Sequence, residues 1–362
     1  MFFSILIFIF TLLVLVIIHE LGHFLVAKRF GIKVLEFGFG IPPRVWGKKI
    51  GETLYSLNLL PIGGFVRLLG EDEVDKNVLK DKNSFAAAAV HKRILVVIAG
   101  VVMNLLLAWV IFYTVIIYQN FRVIYPTIEP AVFVGLVQKD FPAEIAGIKV
   151  GDRILKVDEK EIKKFDDARN FIKEKNGQQV SLTLTDIDDK TERKITVTPK
   201  KVDDGNFLIG VGFSPLAIKQ YTTLGEKIFS GITYSWDLTK VTFAGLGKLG
   251  ADLGSGNLKR ASESVSGPVG LAGISNNILS EGPGAFSFYL WFVGVISLTL
   301  TIFNVLPIPA LDGGRLLFLV IEAVSRKKVR EDIERMVHQI GFAVLLALAF
   351  LITYSDIRKI FS

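Results

Sequence analysis

The sequence predicts a polytopic α-helical membrane protein with four transmembrane helices, a β-rich segment after the first span and one inserted α+β domain. Three observations carry that prediction. Of the 362 residues, 51% are hydrophobic and 21% are charged, and the mean hydropathy is +0.47; this is too apolar for an ordinary soluble domain. The apolar residues gather in four charge-poor runs of bilayer-spanning length. The excess of Lys and Arg sits beside those runs and not on the region between them.

Residues 1–18 carry no charge, and the run continues past Glu20 to Ala27; residues 94–118, 286–311 and 336–355 are equally free of Asp, Glu, Lys and Arg. A helix needs about 20 apolar residues to cross a bilayer, so each run is long enough for one span. The first run has no basic n-region and no small-residue cleavage site, and it carries His and Glu where cleavage would fall, so it reads as a retained span and not as a signal peptide.

Charge then orients the spans. Residues 28–93 hold 12 Lys/Arg against 7 Asp/Glu, whereas residues 119–285 are nearly balanced at 22 against 21. Lys28, Arg29 and Lys33 close the first span, His91, Lys92 and Arg93 open the second, and Arg326, Lys327, Lys328 and Arg330 separate the third from the fourth. These ends are expected on the cytoplasmic side, which leaves residues 119–285 and both termini outside. Arg358 and Lys359 argue weakly the other way. Basic loops beside apolar runs, with no basic folded face, exclude a nucleic-acid partner.

The connecting segments follow in order. Residues 34–69 alternate glycines with β-formers, as in Phe37-Gly38-Phe39-Gly40 and Gly63-Gly64-Phe65, and signal hairpins. An unpaired strand edge here can capture an extended substrate; the alternative is an amphipathic hairpin on the cytoplasmic surface. Residues 71–82 read as a solvated loop. From about residue 127 to 213, short β-runs and two helical patterns mark the α+β domain. Residues 214–285 mix apolar residues with Gly and Ser and read as an amphipathic, interfacial linker. The chain is thus divided into 1–125, 126–213, 214–285 and 286–362.

Chemistry has few candidates. There is no cysteine, and there are four histidines. Two of them stand in His19-Glu20-Leu21-Gly22-His23 inside the first span. Imidazoles four residues apart share a helical face and can bind one zinc, with the adjacent Glu acting on a zinc-bound water. His23 lies roughly 7 Å inside the basic end, near the cytoplasmic leaflet. An ionisable residue at that depth costs about 2.5–3.5 kcal/mol on insertion scales, so its presence signals function. Asp312 is the other acidic residue at cytoplasmic membrane depth. The backbone around Pro307, Pro309 and Gly313-Gly314 cannot stay regular; it either aims Asp312 at the metal or caps an interfacial helix end. Asn304, in the third span, is either a donor to the substrate carbonyl or a tie between helices. Asn104, His91 and His338 read as interhelical or interfacial side chains.

These residues resemble a known family. The His19–His23 pattern in a first span, with Asn304-x-x-Pro307-x-Pro309-x-Leu311-Asp312-Gly313 in a third, is similar to the site-2 proteases, intramembrane zinc metalloproteases of the regulator of sigma-E protease type. The resemblance implies His19, His23 and Asp312 as zinc ligands, Glu20 as catalytic base and Asn304 as substrate-positioning. It implies that the β-rich segment re-enters the membrane beside the site, with Gly38, Gly40, Gly63, Gly64 and Phe65 touching substrate. It further implies a multi-pass protein of the bacterial inner membrane, cutting single-span proteins that another protease has already shortened, such as anti-sigma factors or remnant signal peptides. Residues 142–154 are similar to the signature stretch of bacterial PDZ domains, which can hold a peptide C-terminus, with residues 208–213 as the nest, or act as a steric plug. Members best known from enterobacteria carry two tandem PDZ domains; this chain has room for one. Two other functions compete: a non-catalytic scaffold presenting the PDZ domain, and a transporter using the same buried His, Glu and Asp. The absence of an internal repeat disfavours the transporter. The number of copies in the assembly is not legible.

Overall fold

The computed structural model describes residues 2–361 apart from 72–77, 79–80, 126, 128–130, 163, 187–190, 203–204, 215, 258–259, 261, 263 and 283; most of the segment expected as a solvated loop at 71–82 lies outside them. The chain forms two compact units, Met1–Phe112 with Leu249–Ser362, and Tyr113–Lys248.

In the first unit, α1 (Phe2–Arg29), α2 (Val90–Tyr118), α7 (Ala285–Val305) and α9 (Glu331–Phe361) are long and apolar enough to cross a membrane. The last six residues of α2 belong to the second unit. The end of α1 shows how a span stops. Lys28 and Arg29 occupy its last turn, where cations oppose the helix dipole. Gly31 then turns left-handed at φ +74°, Ile32 N–H bonds Ala27 O at 2.9 Å and Gly31 N–H bonds Lys28 O at 3.1 Å. That pair of bonds is the Schellman closure, and it needs a residue free to take positive φ.

Strands β1 (Val34–Ile50) and β2 (Thr53–Leu68) form the β-rich segment as one long antiparallel hairpin. Its register is irregular. Residues 36–39 have partners on both sides, at 54–57 and at 64–67, so β1 offers no free edge there. A core of Ala27, Val34, Leu68, Val96, Val97 and Leu319 joins the hairpin base to α1, α2 and α8 (Asp312–Ser325). A second core packs Phe8 and Leu15 of α1 on Tyr289, Phe292 and Ile296 of α7, and the Thr11 and Tyr289 hydroxyls meet at 2.7 Å. Between spans, such packing and interhelical hydrogen bonds replace the hydrophobic effect as the adhesive.

The second unit is α+β. Five strands run in the order β11 (Val211–Ser214), β4 (Val132–Val137), β5 (Arg153–Val157), β7 (Val180–Thr185) and β8 (Glu192–Val197), and β6 (Lys160–Glu161) pairs with β5. Val180, Leu182 and Leu184 alternate inward along β7 and pack with Val132, Val134 and Ile154, as the two-residue period of a half-buried strand requires. Helices α3 (Pro142–Ile145) and α4 (Phe165–Glu174) complete the layer. At the sheet edge, Ile209 and Gly210 carbonyls accept from Ala143 N–H at 2.9 Å and Gln138 N–H at 2.8 Å. Beside Asp158, the Lys175 ammonium at 2.7 Å holds the carboxyl below its usual range, helped by the Ser181 N–H. Two short strands, β9 (Lys200–Lys201) and β10 (Phe207–Leu208), pair with each other, β12 (Ala217–Gln220) pairs with β3 (Arg122–Tyr125), and the Tyr234 hydroxyl donates to Ile124 O at 2.9 Å.

Residues 214–285 hold more helix than the interfacial linker expected from composition. α5 (Leu224–Gly254) has 31 residues and α6 (Pro268–Ser280) has 13. Scattered Gly and Ser lower intrinsic helix propensity, which hides these helices from a reading by composition. α8 was hidden too, because its polar residues merged with the basic segment before the fourth span.

Candidate metal centre

The site is assembled from α1, α2 and the junction between α7 and α8. His19 and His23 are one turn apart on α1, and their Nε2 atoms lie 3.1 Å from each other. Asp312 brings Oδ2 to 2.9 Å from His19 Nε2 and 3.3 Å from His23 Nε2. Three donor atoms from distant parts of the chain therefore form one small triangle.

The junction explains how Asp312 gets there. α7 stops at Val305, and Leu306 is extended at φ −62°, ψ 143°. Pro307 and Pro309 cannot supply helix donors, and Ala310 is left-handed at φ +73°. Helix α8 restarts with Asp312 as its first residue. A side chain at Gly313 would strike the Leu306 carbonyl, and one at Gly314 would lie 2.6 Å from Ile308 O. The glycine pair thus lets α8 fold back tightly on the Pro-rich segment. His338 of α9 braces the same segment: its Nδ1 accepts the Ala310 N–H at 3.0 Å. The sequence suggested only an interfacial side chain for His338, and its partner 28 residues away leaves no local signal.

α2 packs closely against the histidines. A side chain at Gly22 would strike the Ala99 carbonyl, and one at Gly100 would strike the His23 ring. Val96 O lies 2.8 Å from His23 Nδ1. A carbonyl can only accept, so Nδ1 carries a ring proton, and in the neutral imidazole Nε2 is then the atom with a lone pair to offer. Gly22, Val96 and Gly100 went unassigned in the sequence because their role exists only between helices.

The geometry fits a metal. Asp312 Oδ2 is buried against the Nε2 atoms of His19 and His23, at 2.9 and 3.3 Å. Three atoms that can each offer a lone pair converge at 2.9–3.3 Å, close enough for one cation to join them. A tetrahedral zinc with bonds of about 2.0–2.1 Å spaces its ligands about 3.3 Å apart, and an N,N,O donor set suits it. His19, His23 and Asp312 can therefore hold a metal ion.

The other predicted site residues fall at different distances from this triangle. Glu20 lies beside it on α1, and a side chain at Gly64 would contact its Cγ at 3.6 Å. Gly63, Gly64 and Phe65 thus run along β2 next to Glu20. Gly38 is paired on both sides, with Ser56 and Phe65, and the Phe65 ring lies where its side chain would be. Gly40 backs onto the Leu60 carbonyl at φ +79°. Asn304 sits half-buried in the last turn of α7. A cavity of about 860 Å³ reaches Asp312 and is lined by Glu71, Arg93, Arg315, Glu322 and His338 among others. Two ion pairs shape its wall: Arg315 with Glu71, and Arg93 with Glu322 at 2.5 Å.

Residues 7–348 match the model of peptidase family M50. The chain belongs to that family. It is 36% identical over 344 residues to a protein of Clostridium perfringens named as a zinc metalloprotease, covering 95% of each chain. It is 32% identical over 426 residues to the zinc metalloprotease RasP of Geobacillus kaustophilus, covering 96% of each. It is 29% identical over 424 residues to the regulator of sigma-W protease RasP of Bacillus subtilis, again covering 96% of each. This M50 peptidase is accordingly a zinc metalloprotease of the site-2 protease family and an integral membrane protein. It is an enzyme, which removes the non-catalytic scaffold.

Proposed function

We propose that this M50 peptidase is an intramembrane endopeptidase that cuts the membrane-spanning segment of single-span proteins. His19, His23 and Asp312 would hold the zinc, and the observation that carries this is their buried triangle of donor atoms. When bound, zinc supplies Lewis acidity toward the scissile carbonyl and makes water more acidic. The Glu20 carboxylate takes a proton from the attacking water and returns it to the leaving nitrogen. Asn304 donates its amide N–H to the substrate carbonyl. Water reaches the site through the polar cavity at Asp312.

A helical substrate hides its scissile peptide, so it must be unwound and its freed backbone groups paired again. The edge of β2 at Gly63, Gly64 and Phe65, beside Glu20, supports strand addition as the way to do both. Exposed Val45, Trp46, Ile50, Leu57, Leu59 and Leu60 support entry of the hairpin into lipid. The charge pattern supports an active site near the cytoplasmic leaflet of a bacterial inner membrane, with residues 126–213 outside. We read that region as a PDZ-type domain whose edge strand β11 admits a peptide C-terminus. The relative named as a regulator of sigma-W protease supports membrane-bound regulators of sigma factors, such as pre-cleaved anti-sigma factors, as substrates.

The test is Glu20→Gln in the full-length protein with a model transmembrane substrate. Cleavage should fall by roughly 10³-fold or more while the zinc content stays near one per chain. Wild-type cleavage by this variant would overturn the mechanism.

A further inference from the structure

Metal ligation requires Nε2 of both histidines, and therefore a proton acceptor for each Nδ1. For His23 that acceptor is the Val96 carbonyl. For His19 it must be something else. We propose that Asn104 is the positioning residue of His19: its side-chain oxygen accepts the Nδ1 proton and holds the ring with Nε2 facing the metal. This rests on the reading that His19, His23 and Asp312 bind zinc.

Four observations converge. Asn104 is 1% exposed, and its amide lies 3.4 Å from His19 Nδ1. The Asn104 Oδ1 is buried with no hydrogen-bond partner, an arrangement that is unfavourable for an acceptor out of water. Val96, Gly100 and Asn104 follow one another at helical four-residue spacing on α2, opposite His23 and His19, which have the same spacing on α1. Finally, the Asn104 backbone carbonyl accepts the Ser297 hydroxyl at 2.8 Å, which fixes the residue to α7 without engaging its side chain.

Tautomer chemistry completes the argument. With Nδ1 of His19 protonated, an amide nitrogen facing it would set donor against donor. Half a turn about the terminal bond exchanges Nδ2 and Oδ1, two atoms told apart by their hydrogen-bond network. Oδ1 then accepts the Nδ1 proton, and the orphaned oxygen gains its partner. Such outer partners fix ring orientation and raise ligand basicity. α2 thus serves both imidazoles, one with main chain and one with a side chain.

The experiment measures zinc affinity of the full-length protein in detergent by competition with a chelator. Asn104→Leu should bind zinc about 10–100-fold more weakly. Asn104→Asp, which keeps an acceptor, should stay within about threefold of wild type. Ser297→Ala removes the tie between α2 and α7 and should lower thermal stability while leaving zinc affinity unchanged. Asn104→Ala carries the same expectation as N104L and replaces it if that variant does not fold. The proposal is overturned if N104L holds zinc as tightly as wild type, if N104D falls as far as N104L, or if S297A weakens zinc equally. Loss of zinc binding from wild type would instead overturn the parent reading and this inference together.

Discussion

Helices α2 and α9 are both apolar enough to cross a membrane, yet 44% of the apolar stretch of α2 is buried and none of that of α9. α2 is an inner helix. It meets the histidines through Val96, Gly100 and Asn104 and meets α7 through Ser297. α9 turns large residues such as Leu346, Phe350 and Leu351 outward and is fastened by a few polar groups near its ends. Hydropathy therefore reports that a helix can live in lipid, but not whether its neighbours are lipid or protein. What separates the two is where small and polar residues sit, because close backbone approach and buried hydrogen bonds hold membrane helices together.

The most severe way to break this contrast is to add bulk to each helix. Gly100→Leu places a side chain where the imidazoles lie. Zinc affinity and peptidase activity should both fall by roughly a hundredfold or more. Leu346→Phe on the outer face of α9, 60% exposed at the leucine, should leave both within about twofold, since exposed positions rarely matter by more than about 0.5 kcal/mol. Chelator competition and cleavage of a model substrate check both. Equal losses at the two positions would mean that α9 is as much a part of the catalytic core as α2.

A smaller effect is expected where α9 does reach the site. Gly341 lies so close to Pro309 that a side chain there would collide with it, and His338 accepts the Ala310 N–H. His338→Ala leaves that N–H without its acceptor, at a cost of about 1–3 kcal/mol. The Pro-rich segment that aims Asp312 should loosen, and kcat should fall about tenfold. His338→Gln, which keeps an acceptor on the side chain, should recover part of the loss. A thermal scan alongside the kinetics separates a loosened segment from an unfolded protein.

The same contrast explains what could be read from the sequence. The spans were legible because a bilayer demands long uncharged runs, and Asp312 was legible because few carboxylates lie at membrane depth. His19 and His23 were legible because helical spacing alone brings them together. Asn104 and His338 were noticed, but only as interhelical or interfacial side chains: a buried amide has the same sequence signature whether it glues helices or orients a ligand. Gly22 and Gly100 gave no signal, since a glycine in a span is common and its reason lies on the facing helix. The hairpin was legible as β-structure, but not the doubled pairing of residues 36–39, which occupies both edges of β1 there. Register of that kind is set by which strand packs on α1, and strand propensity does not encode it.

The gentlest test lies at the far end of α9. Asp356 is 3% exposed and accepts N–H bonds from Gly267 at 2.9 Å and Gly270 at 2.8 Å. These residues open α6, so a carboxylate from one helix caps the positive end of another. Glycine at 267 and 270 leaves the room this needs, because a side chain at 267 would lie 2.7 Å from Ile352 Cγ2. Asp356→Asn keeps an acceptor oxygen and loses only the charge. It should lower stability by about 1 kcal/mol, seen as a thermal midpoint a few degrees lower, and should leave zinc affinity unchanged. If kcat fell as far as in His338→Ala, α9 would act as a lever from this cap to the Asp312 segment, and its fastening would belong to catalysis as well as to assembly.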